Sequence, residues 1–226
     1  VGSEMCIRDS TYTETSHAKE IFTDPYAAES DVKLLIDGWF VESMADLNQK
    51  QPQLLSYLTQ NAIWWVEYAD LSGYRVDTYP YNSRDEITQW TKAIMDEYPN
   101  FSIVAESWVI NPIHLSYWQK DSPIAAMSGF NSQVTHVKDF ALFAAVQDIY
   151  QGDTPWWEQK MNKIYKVFQN DFVYANPNDL IVFLENHDTS RINEIASEFY
   201  QYKLMTTLLD TVRGVPQTYY GTEINM

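Results

Sequence analysis

The chain alternates between stretches whose apolar residues have helical spacing and short runs that are apolar or β-favouring throughout. From Pro52, a residue suited to the first turn of a helix, Leu54, Leu55, Leu58, Ile63, Trp64 and Trp65 keep helical spacing as far as Ala69. A β-favouring run then ends at Asp77. Residues 84–97 repeat the helical pattern, and residues 101–106 read as a second strand. Residues 125–127 are a weak third strand candidate. The pattern predicts a helix over 155–168, a strongly apolar strand over 180–184, a helix over 192–212 and a last short strand over 216–220. Upstream, residues 11–38 are polar and irregular, with a turn at Asp24-Pro25-Tyr26.

This alternation predicts an α/β fold of parallel β/α units. The continuous apolar run Ile181-Val182-Phe183-Leu184 suits a sheet covered on both faces. Five strands are too few for a closed eight-stranded barrel, whose typical length is about 250 residues. No internal repeat or low-complexity linker interrupts the pattern. Residues 1–10 have neither the apolar stretch of a signal peptide nor helical periodicity, and they look like translated adapter sequence. Cys6 lies among them and is the only cysteine, so no intramolecular disulfide is expected.

Composition narrows the partners. The 226 residues allow one sizeable core. No run approaches the roughly 20 apolar residues of a transmembrane helix. With 31 acidic against 15 basic residues the formal charge is −16, which disfavours nucleic acid and suits a neutral ligand. A solvated acidic surface has the same balance. Eight Trp and sixteen Tyr offer flat faces for sugar rings, although most of these rings are expected simply to fill a core.

Three acids carry the candidate chemistry. Asp77 closes Gly73-Tyr74-Arg75-Val76-Asp77, Glu106 lies in Ser102-Ile103-Val104-Ala105-Glu106-Ser107-Trp108, and Asp188 follows Phe183-Leu184-Glu185-Asn186-His187. Each stands where a strand-like run ends. A charge there is either exposed or held in a site, because burying it unpaired is costly. Asp77 and Glu106 are 29 residues apart, about one β/α unit, so parallel strands would deliver both to the same carboxyl-terminal rim.

In chain order, four segments resemble the motif set of the α-amylase superfamily of glycoside hydrolases. The run ending at Asp77 matches G-x-R-x-D of the fourth strand. Glu106 with Trp108 matches the acid/base segment of the fifth. Asn186-His187-Asp188-Thr189-Ser190-Arg191 matches N-H-D-x-x-R of the seventh, and Pro216 to Glu223 resembles P-x-x-Y-Y-G-x-E around the eighth. The resemblance implies a partial TIM (β/α)8 barrel over residues 51–226, with strands four to eight and their helices present and strands one to three missing. Residues 11–50 would be the tail of an inserted domain and the loop before strand four. The third-strand segment ending in Asn-His, an eighth helix and a C-terminal β-domain have no match.

The resemblance also implies roles. Asp77 would be the nucleophile, Glu106 the general acid/base with a raised pKa, and Asp188 the third carboxylate, which favours the distorted, cation-like sugar. A carboxylate nucleophile and a second carboxyl group about 5–5.5 Å away are what retaining hydrolysis requires. Arg75 would hold Asp77 ionised, and His187 would hydrogen-bond a sugar hydroxyl, with Asn186 and Arg191 in the same substrate-binding segment. Gly38-Trp39-Phe40 and Met44-Ala45-Asp46-Leu47-Asn48 are similar to the loop before strand four in neopullulanase-, cyclomaltodextrinase- and maltogenic-amylase-like members, with Ala45 replacing the usual proline. Trp39, Phe40 and Trp108 fit sugar stacking and plain packing equally.

The implied activity is hydrolysis of α-1,4-linked glucans, cyclomaltodextrins or pullulan, so the expected partner is an α-glucan oligosaccharide or polysaccharide. A relative acting on α-1,6 bonds, on sucrose or by transglycosylation shares the three acids, and a non-catalytic subunit of the superfamily is a further alternative. A metal site built from the three acids is opposed by Arg75, whose cation would stand beside the ligands. No cofactor is expected for catalysis. Structural calcium is compatible with the full-length protein, and a periplasmic or extracellular setting is favoured over a cytoplasmic one.

Overall fold

The computed structural model describes residues 12–151 and 159–226. The adapter-like residues 1–10, with Cys6, lie outside these, as does the start of the helix expected over 155–168. Within the described residues that helix is Asn162–Phe168 (α7 below).

In chain order the elements are α1 (Glu29–Asp37), α2 (Pro52–Ala69), β1 (Gly73–Val76), α3 (Arg84–Glu97), β2 (Ser102–Ala105), α4 (Pro112–Ser116), α5 (Pro123–Ala126), β3 (His136–Val137), α6 (Phe140–Gln151), α7, β4 (Ile181–Phe183), α8 (Ile192–Ile195), α9 (Phe199–Thr211) and β5 (Val215–Gln217). All strand pairings within the two sheets are parallel. β1 pairs with β2 and β2 with β3, with Val76, Ala105 and Val137 in one row across the sheet. β4 pairs with β5, and a bridge between Lys138 and Ile181 joins the two sets. Parallel neighbours need a crossover between them, which helices supply along the chain.

Local chemistry explains where elements begin and end. Pro52 opens α2, and Asp70 ends it in the left-handed region, its N–H donating to the Val66 carbonyl. Gly214 enters β5 at φ +102°, where a Cβ would meet the Leu180 carbonyl oxygen at 2.6 Å. The core lies between sheet and helices: Ile103, Ala105, Val137, Leu180 and Val182 pack with Ile94, Trp118, Leu142 and Met205.

Three expectations need correction, and one element is new. Residues 125–127 are not a strand, because Pro123 starts α5 and the Ser122 hydroxyl caps it by accepting from the Ala125 N–H at 3.2 Å; the middle strand is the two-residue β3. The single helix over 192–212 is two helices, restarted by a capping box in which Glu198 and Gln201 exchange side-chain hydrogen bonds with each other's backbone N–H. Residues 11–38 are not wholly irregular, since α1 lies within them, although the turn at Pro25-Tyr26 is present. The long helix α6 was not expected at all. Among the described residues no helix is long and apolar enough to cross a membrane.

Candidate active site

Asp77 and Glu106 each sit one residue beyond the end of a parallel strand, at the carboxyl end of β1 and β2 respectively. The ladder runs one step past the strands, with the Glu106 N–H donating to the Val76 carbonyl at 2.9 Å. Immediately after Asp77, Thr78 adopts φ +46°, ψ +39°, a region a β-branched residue seldom occupies. This bend turns the Thr78 N–H onto the Glu106 Oε2 at 2.9 Å, and the next N–H, that of Tyr79, donates to the Glu106 carbonyl at 3.0 Å. Backbone strain is thus located where two acids are fixed beside each other.

The third acid comes from the loop after β4. Asn186 Oδ1 accepts from the Asp188 N–H at 2.8 Å, and Thr189 Oγ1 accepts from the Asn186 N–H at 2.8 Å. This tight turn presents His187 and Asp188. Arg75, projecting from β1, then ties the two strand ends together: its guanidinium is 2.7 Å from Asp77 Oδ1 and 3.8 Å from Asp188 Oδ2. His187 Nε2 lies 3.1 Å from Asp188 Oδ2.

The acids differ in environment. Glu106 is buried, whereas the side chains of Asp77 and Asp188 are 63% and 42% exposed. Burial pushes Glu106 above the ordinary glutamic acid value, with the Thr78 N–H, Arg75 and Lys19 working against it and Asp77 adding to it. One carboxyl group is therefore disposed to keep a proton while two open carboxylates share a guanidinium, a division suited to an acid and a nucleophile at one centre.

The remaining expected residues divide. Phe40 packs edge-on to His17 and Tyr81 at 5.2 Å each. Tyr81 is within electrostatic reach of Glu106, and its phenol is pushed up to about 12, chiefly by burial. Phe40 is thus one ring removed from Glu106, behind Tyr81. Trp39 is instead held in backbone pairing with Thr13 and Thr15, its ring against Tyr12. Trp108 stacks one face on Phe140 at 4.8 Å and, 37% exposed, lines a cavity of about 700 Å³ with Lys19, His17 and His114. Asn186 positions Asp188, and its Nδ2 is buried with no partner among the described residues. Arg191 does not reach the acids. It donates to Glu185 Oε1 at 3.1 Å and to the Tyr220 carbonyl at 2.8 Å, beneath the rings of Tyr219 and Tyr220. Arg75 and Asp77 also line a second, mostly apolar cavity of about 380 Å³ with Trp65 and Trp90.

Two cations near the acids were not anticipated. Lys19 comes from the polar upstream segment and Lys138 follows β3; both lie within electrostatic reach of Glu106. No sequence pattern marks Lys19. Lys138 would have followed from placing the third strand at residues 136–137. Among the described residues no group of three His, Cys, Asp or Glu is arranged to hold a metal ion.

The alpha-amylase family model, described as "Alpha amylase, catalytic domain", matches residues 26–226. Curated relatives include a cyclomaltodextrin glucanotransferase of Paenibacillus macerans, 23% identical over 180 residues, covering 80% of this chain and 24% of the relative. Another is α-amylase 2 of Dictyoglomus thermophilum, 24% identical over 187 residues, covering 81% and 30%. Among solved structures, an α-amylase from Geobacillus thermoleovorans in complex with acarbose superimposes with a TM-score of 0.72 at 28% identity, over 88% of this chain and 42% of that one. An Anoxybacillus α-amylase shares the fold with a TM-score of 0.76 at 22% identity, over 99% and 44%. The chain therefore spans between about a quarter and under half of the length of these proteins.

Proposed function

The chain belongs to the α-amylase catalytic domain family, and from that premise we propose that it is part of a retaining enzyme acting on α-1,4-linked glucans or cyclomaltodextrins. On this reading β1 to β5 are strands four to eight of a (β/α)8 barrel. The family places its site at the carboxyl-terminal rim of such a barrel. The observation that carries the reading is the single guanidinium of Arg75 contacting both Asp77 and Asp188, with the buried Glu106 fixed beside Asp77 by the Thr78 N–H.

Asp77 attacks the anomeric carbon while Glu106 gives its proton to the departing glycosidic oxygen. Water or an acceptor sugar then loses a proton to Glu106 and displaces Asp77, so the configuration is retained. Arg75 aims the nucleophile through its contact with Asp77 Oδ1. Asp188 and His187 hold hydroxyl groups of the ring and favour its cation-like state. Trp108 offers its open face to a neighbouring sugar, and Phe40, packed on His17 and Tyr81, is the lesser candidate for stacking. The chemistry uses carboxyl groups alone and calls for no cofactor.

Transfer rather than hydrolysis is the second reading, favoured by the several glucanotransferases among the relatives. The test uses the intact protein with a maltooligosaccharide and a cyclomaltodextrin. Asp77→Asn abolishes turnover, because an amide cannot act as the nucleophile. Glu106→Gln loses most activity on glucans but less on α-glucosyl fluoride, whose leaving group needs no proton. Linear products indicate hydrolysis and lengthened or cyclic ones indicate transfer. Equal retention of activity by both variants would overturn the roles.

A further inference from the structure

Lys138 is not part of the motif set, yet its backbone occupies the same step of the rim as the two acids. Val76, Ala105 and Val137 form one row across β1, β2 and β3. Asp77, Glu106 and Lys138 are the next residue on each. The equivalence is seen in the ladder: the Lys138 N–H donates to the Ala105 carbonyl at 3.2 Å, as the Glu106 N–H does to Val76 at 2.9 Å. Successive strand residues alternate between faces, so Lys138 shares the face of Asp77 and Glu106. The opposite face at this edge is served by its neighbour Asp139, which pairs with Arg213 instead.

The side chain is 2% exposed, and its ammonium lies 4.5 Å from the Phe183 ring centroid. Buried lysines are normally paired. Here the site's ion pairs run from Arg75 to Asp77 and Asp188, and His187 Nε2 also lies against Asp188. Among the described residues Lys138 joins none of them, though all three acids and Arg75 lie within its electrostatic reach. Among the described residues its close partners are aromatic faces, Phe183 at 4.5 Å and Phe140 at 6.0 Å, which hold a cation without taking its charge.

Resting on the function proposed above, we propose that Lys138 is a positioning residue of the site, a fixed and unpaired positive charge that offsets the three clustered carboxyl groups without clamping any of them. Arg75 is one cation for two carboxylates, and Lys19, the other nearby cation, is within electrostatic reach of Glu106 alone among the three acids. A second cation that formed a direct ion pair would tie up an oxygen needed for attack or proton transfer. Set on Phe183, Lys138 supplies the field alone. Burial and Arg75 lower its own affinity for a proton, while Glu106, Asp188 and Asp77 raise it. The other titratable groups around Glu106 are Lys19, from the upstream segment, and Tyr81, after β1, a neutral phenol over this range. His187 belongs to the Asp188 turn.

The test compares wild type with Lys138→Met and Lys138→Arg in the intact protein, the fold being checked by circular dichroism and melting temperature. The first readout is the basic limb of the kcat/KM–pH profile, which reports protonated Glu106. Loss of a nearby cation moves that limb up by less than roughly one pH unit in Lys138→Met, because Lys138 is in contact with none of the carboxyl groups. Lys138→Arg stays closer to wild type than Lys138→Met does. The second readout is binding, which needs no turnover. A cationic piperidine analogue of glucose gains up to about tenfold over neutral maltotriose in Lys138→Met, the equivalent of at most one such unit. A general loss of activity with the limb unmoved and both ligands weakened alike would overturn the proposal and make Lys138 structural. A wild type without glucan turnover would instead defeat the functional reading, and the binding comparison would still decide Lys138.

Discussion

Replacing Arg213 with Met is expected to remove about 3 kcal/mol of stability at neutral pH, the lower end of the cost of breaking a buried ion pair by deleting one partner. Arg213 Nη1 is 2.5 Å from Asp139 Oδ2, and its Nε and Nη2 grip Asp171 at 2.8–3.1 Å. Asp139 is fully buried and caps α6 by accepting from the Leu142 N–H at 2.9 Å. Asp171 is a quarter exposed, so water can replace its partner. Nearly all of the cost therefore falls on Asp139, left with a single N–H to oppose desolvation. Met preserves most of the aliphatic packing, which isolates the charge. Burial already pushes the Asp139 carboxyl above its usual range against the pull of Arg213 and Leu142, and losing Arg213 pushes it further. A carboxyl group whose folded pKa exceeds the unfolded one stabilises when protonated and loses that contribution as pH rises. The deficit of Arg213→Met is thus largest near pH 7 and shrinks as pH falls through the raised value. Urea denaturation of the intact protein at several pH values measures it, with Arg213→Met/Asp139→Asn recovering a substantial part. A loss below about 1 kcal/mol at pH 7, or one that grows in acid, would refute the argument.

Two further outcomes follow from burial. Glu106 sits above its unfolded value chiefly through desolvation, so it stabilises the fold when protonated and that contribution is lost as pH rises. The melting temperature of Glu106→Gln should therefore gain on wild type between about pH 4 and pH 7, and a gap that narrows with pH contradicts this. The 226-residue chain expressed alone exposes Tyr57, Trp64, Trp65 and Tyr68 on α2, and β1 pairs within the described sheet only with β2. Such apolar surface and an open strand edge favour association. We expect a broad melt and no turnover of maltooligosaccharides, and a sharp transition with measurable turnover would contradict that.

The parts of the molecule legible in the sequence are those where pattern and geometry coincide. α2 and α3 have the expected bounds, because Pro52 and the helical spacing of apolar residues act locally. The strand ends carrying Asp77 and Glu106 were legible for a related reason: a polar residue after a β-favouring run marks the rim. β3 was missed because a two-residue strand has no periodicity, and because His136 and Lys138 flank Val137 with polar side chains. That error concealed Lys138. α6 was missed because Phe140, Ala141, Leu142 and Phe143 are all buried, so its first turn has no polar face to mark it. The break before α9 depends on a cap made by Glu198 and Gln201, residues that also suit a helix interior. The place of Arg191 depended on tertiary structure. Glu185 follows β4 by two residues and draws the guanidinium inward, where Thr222 and the Ile192 N–H bond the same carboxylate.

The central claim is that Asp77 becomes covalently bound to the sugar while Glu106 handles the proton. The direct measurement treats the intact protein with 5-fluoro-α-glucosyl fluoride, which forms the glycosyl-enzyme faster than water removes it, and then digests it for peptide mass spectrometry. The account predicts one added fluoroglucosyl group on the peptide containing Asp77. The label should disappear in Asp77→Asn and persist in Glu106→Gln. A label on Asp188 or Glu106, or products of inverted configuration with no label, would contradict it.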